Sequence, residues 1–406
     1  MSKIKDHTLA DKGKAQYEWA RTHMKILTHS ISKLKKSKPL QNTTLGACLQ
    51  ITKETSVLLI GLQELGAKVV CCAGNPLTTQ DDIAAFLDSQ GIAVFAWSGQ
   101  TKPEYDWCQN MVLSHKPDII TDDGGDLNIK AHKSKSKILG ATEETTTGIT
   151  RYQSMVKKGK LHYPIISVNG ARTKMLFDNQ YGTGQSTIDG FLQTMNLLFA
   201  SKRIVIAGYG WLGKGVAKRC QGMGAKCIIT EVDPIKALEA HMDGLQVMPM
   251  NQAAKYGDIF ITCTGMKDII TKQHLLSMKD GAIVGNVGHF DVEIDAKFLL
   301  SQKVRQVRPN LDECILPNRK KIYLVSKGRV ANLIASEGHP PEIMALSFSN
   351  QLYSILYILN NHRKLKNQVY QVPQEIDNQI AQDALDSSHI KIDKLSKKQI
   401  QYQSSW

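Results

Sequence analysis

A glycine-rich turn between an apolar strand and a helix constrains this chain more than any other feature of its sequence. The strand-like run 204–207 is followed at once by Gly208-Tyr209-Gly210-Trp211-Leu212-Gly213, and a helical run over residues 214–223 comes next. In this spacing the first glycine permits a tight turn, the second lets the backbone approach a pyrophosphate, and the third packs helix on strand. The pyrophosphate would lie at the helix N-terminus, where free N–H groups and the helix dipole favour an anion. The pattern therefore predicts a Rossmann dinucleotide-binding unit.

An acidic residue after the next strand distinguishes between the two nicotinamide dinucleotides. The apolar run 226–230 ends at Glu231, 23 positions after Gly208. A carboxylate there accepts hydrogen bonds from both ribose hydroxyls and repels a 2′-phosphate, although Lys236 nearby could accept such a phosphate. We therefore predict NAD as the cofactor, with contacts from Gly208, Gly210, Gly213 and Glu231.

Two series of strand-like runs, separated by helix-length stretches, predict an α/β protein with two doubly wound parallel-sheet domains. The runs lie at residues 68–72, 93–97, 118–121, 202–207, 226–230, 259–262 and 282–284. We expect a discontinuous substrate-binding domain (1–186 and 343–375), a Rossmann NAD-binding domain (187–342) and a C-terminal tail (376–406). The apolar spacing of residues 342–359 predicts a helix that packs back on the first domain.

Composition limits the class of protein and its partners. The chain has 406 residues and a net charge of +14, but its lysines are scattered and aromatic residues make up only 6%. Because nucleic-acid surfaces combine a basic stripe with stacking aromatics, no nucleic-acid partner is expected. No apolar run is long enough to cross a bilayer, and the N-terminus lacks the apolar core of a secretory signal. The eight cysteines show neither a CxxC pair nor metal-ligand spacing, which indicates reduced core cysteines in a cytoplasmic protein without a bound metal.

Four polar segments carry paired functional groups. They are DDGGD at 122–126, EETTTG at 143–148, TKMLFDN at 173–179 and NVGHFD at 286–291. Lys174 and Asp178 are four residues apart and would share one face of a helix. Each segment alone is typical of a turn or a surface ion pair. In combination with a nucleotide-binding fold, they indicate acid–base redox chemistry.

Together these motifs resemble those of the adenosylhomocysteinase family. The matching segments are DDGGDL at 122–127, EETTTG at 143–148, FDN at 177–179, GYG at 208–210, GHFDVEID at 288–295 and EGHP at 337–340. The similarity runs from about residue 45 to the C-terminus. YGTGQS at 181–186 and Trp211 are similar to the shorter, archaeal-type branch of the family.

The resemblance implies reversible hydrolysis of S-adenosyl-L-homocysteine to adenosine and L-homocysteine. In that reaction NAD oxidises the 3′-hydroxyl, the ketone acidifies the 4′-hydrogen, homocysteine leaves from C5′, water adds, and the ketone is reduced again. The family also implies a homotetramer and a place in the methyl cycle of one-carbon metabolism.

The resemblance further implies roles for individual residues. Lys174, with Asp178 and Asn179, would remove the hydroxyl proton, which requires a lowered lysine pKa. Asp123 would be the acid and base at C4′ and C5′, and His289 would lie beside the 3′-hydroxyl with Phe290 as a gate. The implied substrate contacts are Gln50, Thr52, Glu54, Glu144 and His339, and the implied nicotinamide-side contacts are Thr145, Thr146, Thr147 and Asn332.

Three features depart from the family pattern. Gln50 stands where the family usually has a histidine, so this position can donate a hydrogen bond but cannot take a proton. Gly170 replaces an aspartate after Asn169, and the chain ends at Trp406 without the extension that reaches a neighbour's NAD site in longer members. Two alternatives therefore stay open. One is an NAD-dependent nucleoside 3′-redox enzyme acting on a related thioether nucleoside, and the other is a weakly catalytic NAD-binding regulator.

Overall fold

The computed structural model describes residues 2–288 and 291–405, and their strands form two sheets with helices on both faces. The strands are β1 (Thr44–Leu49), β2 (Lys68–Ala73), β3 (Ala93–Phe95), β4 (Ile119–Asp122), β5 (Gly140–Glu143), β6 (Ile165–Ser167), β7 (Arg203–Ala207), β8 (Lys226–Thr230), β9 (Gln246–Val247), β10 (Ile259–Thr262), β11 (Ala282–Asn286), β12 (Lys303–Arg308), β13 (Leu311–Ile315), β14 (Lys321–Val325) and β15 (Val369–Gln371).

The helices cover most of the remaining chain. They are α1 (Ala10–His23), α2 (Lys25–Leu34), α3 (Lys53–Glu64), α4 (Asp81–Ser89), α5 (Lys102–Ser114), α6 (Asp126–Lys133), α7 (Thr146–Lys157), α8 (Arg172–Lys174), α9 (Thr183–Met195), α10 (Trp211–Gly222), α11 (Pro234–Met242), α12 (Met250–Tyr256), α13 (Lys272–Ser277), α14 (Ala296–Leu300), α15 (Ala331–Ile334), α16 (Pro341–Asn361), α17 (Gln374–Ser387) and α18 (Lys397–Ser404). A π-helix spans Met175–Gly182, and 3-10 turns lie at His7–Leu9, Val168–Gly170 and Ser326–Gly328.

The first sheet is parallel throughout, with the strand order β15-β6-β5-β4-β1-β2-β3. Its central strands are apolar on both faces because helices cover both. Leu45 and Leu49 of β1 belong to the core on one face, whereas Cys48 belongs to the core on the other. This burial on both sides explains why the strands read as continuous apolar runs.

The second sheet has the order β12-β13-β14-β11-β10-β7-β8-β9, and it is parallel from β14 to β9. At the other edge β12 and β13 pair antiparallel, as do β13 and β14, so the prediction of a purely parallel sheet is corrected there. Pro309 and Asn310, the latter with φ +59°, connect β12 to β13. So short a connection can only join antiparallel strands.

The chain returns from the second sheet to the first through α16. This helix buries Phe348, Leu352 and Ile355 in the first core, which agrees with the expected packing of residues 342–359. Helix α17 adds Ile380 to the same core, so the polar segment assigned to a tail from residue 376 begins inside a packed helix. The predicted boundary at 186/187 falls within the continuous helix α9, and the domain limits remain predictions.

Each sheet changes its winding direction at one point, and ligands of doubly wound sheets bind at such points. In the first sheet β1 lies between β4 and β2, and Gln50 and Asp123 follow the carboxyl ends of β1 and β4. In the second sheet β7 lies between β10 and β8, and the glycine turn and Thr264 follow β7 and β10. The fold thus brings the functional segments to two crevices.

Two general properties of the fold bear on its environment. Among the described residues, no helix has both the length and the apolar character that a membrane span requires. All eight cysteines are free thiols, and all but Cys263 are buried.

Candidate active site

A cavity of about 660 Å³ joins the two crevices and is lined by residues of both sheets. Of the residues singled out from the sequence, it brings together Gln50, Thr52, Glu54, Asp123, Glu144, Thr145, Thr146, Thr147, Lys174, Asp178, Asn179, Gly210, Asn332 and His339. Gly208, Gly213 and Glu231 lie outside its lining, and His289 and Phe290 lie outside the described residues. The described part of the chain contains no group of three or more His, Cys, Asp or Glu residues arranged to hold a metal ion.

The glycine turn has the backbone geometry that a dinucleotide requires. Gly208 adopts φ +98°, which a residue with a side chain rarely does, and a Cβ at Gly213 would overlap the carbonyl oxygen of Gly208. A Cβ at Gly210 would meet no atom within 4 Å, and Gly210 caps the N-terminus of α10. The first and third glycines are therefore needed for packing, whereas the second leaves open space at a helix N-terminus, where a pyrophosphate fits.

Glu231 is fixed next to this turn by backbone hydrogen bonds. Its carboxylate accepts N–H groups from Tyr209 at 2.7 Å, Val232 at 2.7 Å and Asp233 at 3.1 Å. Burial opposes ionisation, but these N–H groups outweigh it and lower the pKa of Glu231. The residue is therefore a preorganised anion, as a contact to ribose hydroxyls requires.

The two glycines give a matched pair of variants. We expect Gly210→Ala to lose NAD, because the added methyl group takes the space for the pyrophosphate, and to have the melting temperature of the NAD-free parent. Gly213→Ala should instead lower the melting temperature, since its methyl group meets the Gly208 carbonyl. Thermal unfolding and the NAD released on denaturation measure both effects. Unchanged NAD content in Gly210→Ala would contradict the assignment of the pyrophosphate site.

A π-helix organises the catalytic segment. The sequence predicts an ordinary helical turn with Lys174 and Asp178 on one face, but residues Met175–Gly182 form a π-helix, in which residues five apart are stacked. Lys174 Nζ consequently donates to Asn179 Oδ1 at 2.8 Å, and it donates to Asn169 Oδ1 at 3.2 Å. Its distance to Asp178 Oδ2 is 3.7 Å. The wider turn thus brings an amide and a carboxylate to the same ammonium group.

The charges around Lys174 differ from the expectation of a lowered pKa. Burial alone would lower the pKa of Lys174, but Asp178 and Glu144 outweigh burial and raise it. Burial raises the pKa of Glu144 to about 7, and its Oε1 lies 3.7 Å from Lys174 Nζ. Lys174 is thus held as an ammonium, and the lowered pKa that its role as a base requires is not found in the free protein.

His339 and Lys174 keep the neighbouring carboxylate ionised. Burial would raise the pKa of Asp178, but these two residues hold it well below its usual range. His339 Nδ1 lies 2.7 Å from Asp178 Oδ1. His339 therefore contacts the carboxylate that neighbours Lys174. It also lines the cavity, as expected of the substrate contact that the resemblance implied.

Two further partners of this group lie on α16. Ser347 Oγ donates to Asp178 Oδ2 at 2.6 Å, and Gln351 Nε2 donates to Glu144 Oε2 at 2.5 Å. Neither residue is among those predicted from the sequence. The signal in the sequence was a polar pair four residues apart in a segment predicted to be an apolar helix, and the structure buries both side chains.

Gln50 and Asp123 meet at the switch point of the first sheet. Gln50 Nε2 donates to Asp123 Oδ2 at 2.8 Å, while Gln50 Oε1 accepts the hydroxyl of Thr78. The amide is therefore oriented from both ends and presents an N–H group to Asp123. Gln50, at the position where the family usually has a histidine, is thus a hydrogen-bond donor to Asp123.

At the second departure from the family pattern, Gly170, another side chain fills the space. A Cβ at Gly170 would overlap Oε1 of Gln371, so the Gln371 side chain occupies the space of the missing aspartate. Asn169 keeps its place beside Lys174, and its Nδ2 donates to Thr146 Oγ1 at 2.9 Å.

An unsatisfied amide marks the region between the two crevices. Asn332 is 3% exposed and lines the cavity, yet its Oδ1 accepts no hydrogen bond from the residues that the structure describes. Its Nδ2 contacts Ser186 Oγ and His339 Nε2, both at 3.3 Å. An acceptor left open in this way fits the amide of a nicotinamide.

Comparison with known proteins identifies relatives of both halves. The family described as "S-adenosyl-L-homocysteine hydrolase" matches residues 1–138, and the family of its "NAD binding domain" matches residues 179–338. The adenosylhomocysteinases of Sulfurisphaera tokodaii and Saccharolobus solfataricus are 52% and 50% identical, each over 100% of this chain and 98% of the relative. The S-inosyl-L-homocysteine hydrolase of Methanococcus maripaludis is 49% identical over 100% of this chain and 99% of its own.

A solved structure supports the fold alone. A dipicolinate synthase chain from Bacillus halodurans superposes with a TM-score of 0.51 at 14% identity. The superposition covers 78% of this chain and 99% of that one.

Proposed function

The chain belongs to the S-adenosyl-L-homocysteine hydrolase family and is an NAD-dependent hydrolase, and we propose which residues carry out each step of its reaction. The reaction is the reversible hydrolysis of S-adenosyl-L-homocysteine to adenosine and L-homocysteine. The observation that carries the proposal is that one cavity is lined by Lys174 with Asp178 and Asn179, by the Gln50–Asp123 pair and by residues of the dinucleotide turn. When bound, NAD supplies the acceptor for the hydride of C3′ and later returns it.

We propose that the Lys174–Glu144 pair moves the proton of the 3′-hydroxyl. Since Lys174 is an ammonium, it first transfers a proton to the Glu144 carboxylate. This transfer is uphill, and the raised pKa of Glu144, about 7, makes it less costly than transfer to an ordinary carboxylate. The resulting amine then takes the hydroxyl proton, and the reverse transfers restore it when the ketone is reduced. Oε1 of Glu144 accepts no hydrogen bond from the described residues, so it is also available to a ribose hydroxyl.

Asp123 serves the carbon chemistry. With Gln50 donating to one oxygen, Asp123 is an acceptor that takes the proton from C4′ as the C5′–sulfur bond breaks. It then returns this proton to the departing thiolate. Water adds to C5′ by the same steps in reverse. Gln50 orients Asp123 but takes no proton itself.

The rate of NAD reduction by adenosine should depend on pH through Glu144. The exchange requires the Glu144 carboxylate, which forms as the pH rises through about 7. The rate should therefore increase with pH across this value and level off above it. Stopped-flow absorbance of reduced nicotinamide measures the profile, with Glu144→Gln as the comparison. A group with a pKa of about 7 changes its protonation state mainly within about one pH unit on either side of that value. A parent rate that does not change between about pH 6 and about pH 8 would therefore contradict the role of Glu144.

Release of a free thiol distinguishes the hydrolase from the two alternatives. We expect thiol and adenosine to appear from S-adenosyl-L-homocysteine in equal amounts without net consumption of NAD. A redox enzyme for another thioether nucleoside would reduce its NAD without releasing homocysteine from this substrate. A regulator would do neither, and that result would overturn the proposal.

Membership of the family also suggests an assembly and a location. We propose a homotetramer in the cytoplasm that serves the methyl cycle of one-carbon metabolism. Light scattering of the purified protein measures the mass of the assembly directly.

A further inference from the structure

A buried lysine next to the cavity holds two carboxylates together. Lys53, the first residue of α3, is 5% exposed, and its Nζ donates to Glu337 Oε2 at 2.6 Å. The same Nζ lies 3.3 Å from Oε1 of Glu54, which is 2% exposed. Glu337 belongs to the loop after α15 and is exposed, so the contact joins the two halves of the chain across the cavity. We call these three residues the Lys53 triad.

The triad presents acceptors to the cavity and keeps its donor behind them. Glu54 and Glu337 line the cavity, whereas Lys53 lies outside the lining. Oε1 of Glu54 accepts no hydrogen bond from the described residues despite its burial. Burial raises the pKa of Glu54, and the Lys53 ammonium opposes that rise. Its counter-charge is the Lys53 ammonium 3.3 Å away, and the carboxylate keeps acceptor capacity for a donor from the ligand.

The neighbouring walls suit a flat aromatic base. Met344 and Phe348 of α16 and Leu333 of α15 line the same cavity as the two carboxylates and give it apolar surface. Under the proposed function this end of the cavity receives the purine, and the edge at position 6 meets the triad. An amino group there offers two N–H donors. A 6-oxo purine offers one N–H donor at N1 and sets its carbonyl oxygen against the second carboxylate.

We propose that Lys53 sets the purine preference of this enzyme, by holding Glu54 and Glu337 as a paired acceptor that selects a 6-amino over a 6-oxo purine nucleoside. The inference rests on the proposed function, because it assigns the base end of that site. Lys53 is a positioning residue, since it acts through the two carboxylates. Without it, two adjacent carboxylates share one proton, and the protonated oxygen becomes a donor that accommodates a carbonyl.

Reduction of bound NAD by adenosine and by inosine tests the proposal on the intact protein. For the parent, we expect the rate of NAD reduction divided by the dissociation constant of the nucleoside to be about 10- to 100-fold higher with adenosine than with inosine. A difference of this size is the usual effect of leaving one buried polar group without a hydrogen bond. Lys53→Met should bring this ratio close to one, chiefly through gain of inosine, and Lys53→Arg should restore it. Glu337→Gln removes one charge at an exposed position, keeps the fold, and should lower the ratio partway.

Lys35→Met is the matched control, because it breaks an exposed ion pair with Glu64 just after α2, away from the cavity. Its ratio should equal that of the parent. A parent that reduces NAD equally with both nucleosides, or an unchanged ratio in both Lys53→Met and Glu337→Gln, would overturn this inference alone. Failure of either nucleoside to reduce NAD in the parent would overturn the proposed function as well.

Discussion

Replacing Lys174 by methionine should slow reduction of bound NAD by adenosine about 10²–10⁴-fold, the usual effect of removing a general base. Lys174 Nζ lies within 3.7 Å of Glu144 and of Asp178, so its loss removes both the proton carrier and their shared counter-charge. Stopped-flow absorbance of reduced nicotinamide measures this half-reaction without the later steps. NAD content should stay at the parent level, because the dinucleotide turn at 208–213 is unchanged.

Stability is the main complication of this variant. Removing one member of a buried ion pair costs about 3–5 kcal/mol, since the partner charges remain buried. The double variant Lys174→Met/Glu144→Gln removes one charge of each sign and should recover most of the lost melting temperature without recovering activity. Lys157→Met, at the exposed end of α7, controls for loss of a lysine. NAD reduction at the parent rate in Lys174→Met would show that Lys174 belongs to a structural ion pair only.

Replacing Asp123 by asparagine should separate the two halves of the reaction. We expect NAD reduction by adenosine within a few-fold of the parent rate, while thiol release from S-adenosyl-L-homocysteine falls about 10²–10⁴-fold. The reason is that asparagine keeps an oxygen for the hydrogen bond from Gln50 but cannot take the proton from C4′. Single-turnover measurement of reduced nicotinamide and of free thiol in the same sample gives both rates.

Asp126→Asn is the matched control for this variant. Asp126 lies on the same turn but outside the cavity lining, although its partner Arg151, at 2.7 Å, lines the cavity. Since Asp126 itself does not face the substrate, its removal should affect both rates equally and weakly. Equal loss of both rates in Asp123→Asn would assign Asp123 to substrate binding rather than to the elimination step. A parent-like rate of thiol release would exclude it from the reaction.

Local patterns account for what the sequence predicted well. A strand, a glycine turn, a helix and an acidic residue lie within 28 residues of one another, from 204 to 231, so their geometry follows from short-range sterics and hydrogen bonding. The two-sheet α/β class follows likewise from apolar runs at crossover spacing. The antiparallel hairpin of β12 and β13 was missed because β12, KVRQVR, is largely exposed and highly charged, and β13, LDECI, carries two carboxylates. Neither strand therefore has the continuous apolar run of a core strand.

Long-range contacts decided the chemistry of the site. The sequence by itself determined that Lys174 lies near Asp178, and the resemblance implied Asp123 as the acid and base at C4′ and C5′ and Glu144 as a substrate contact. Only the tertiary structure decided that Lys174 is an ammonium, because its pKa depends on burial, on the orientation of Asp178 and on a carboxylate 30 residues away in the chain. The Lys53–Glu337 contact spans 284 residues and has no local signature. Burial and charge pairing are properties of the packed chain, and they set protonation states that no stretch of sequence contains.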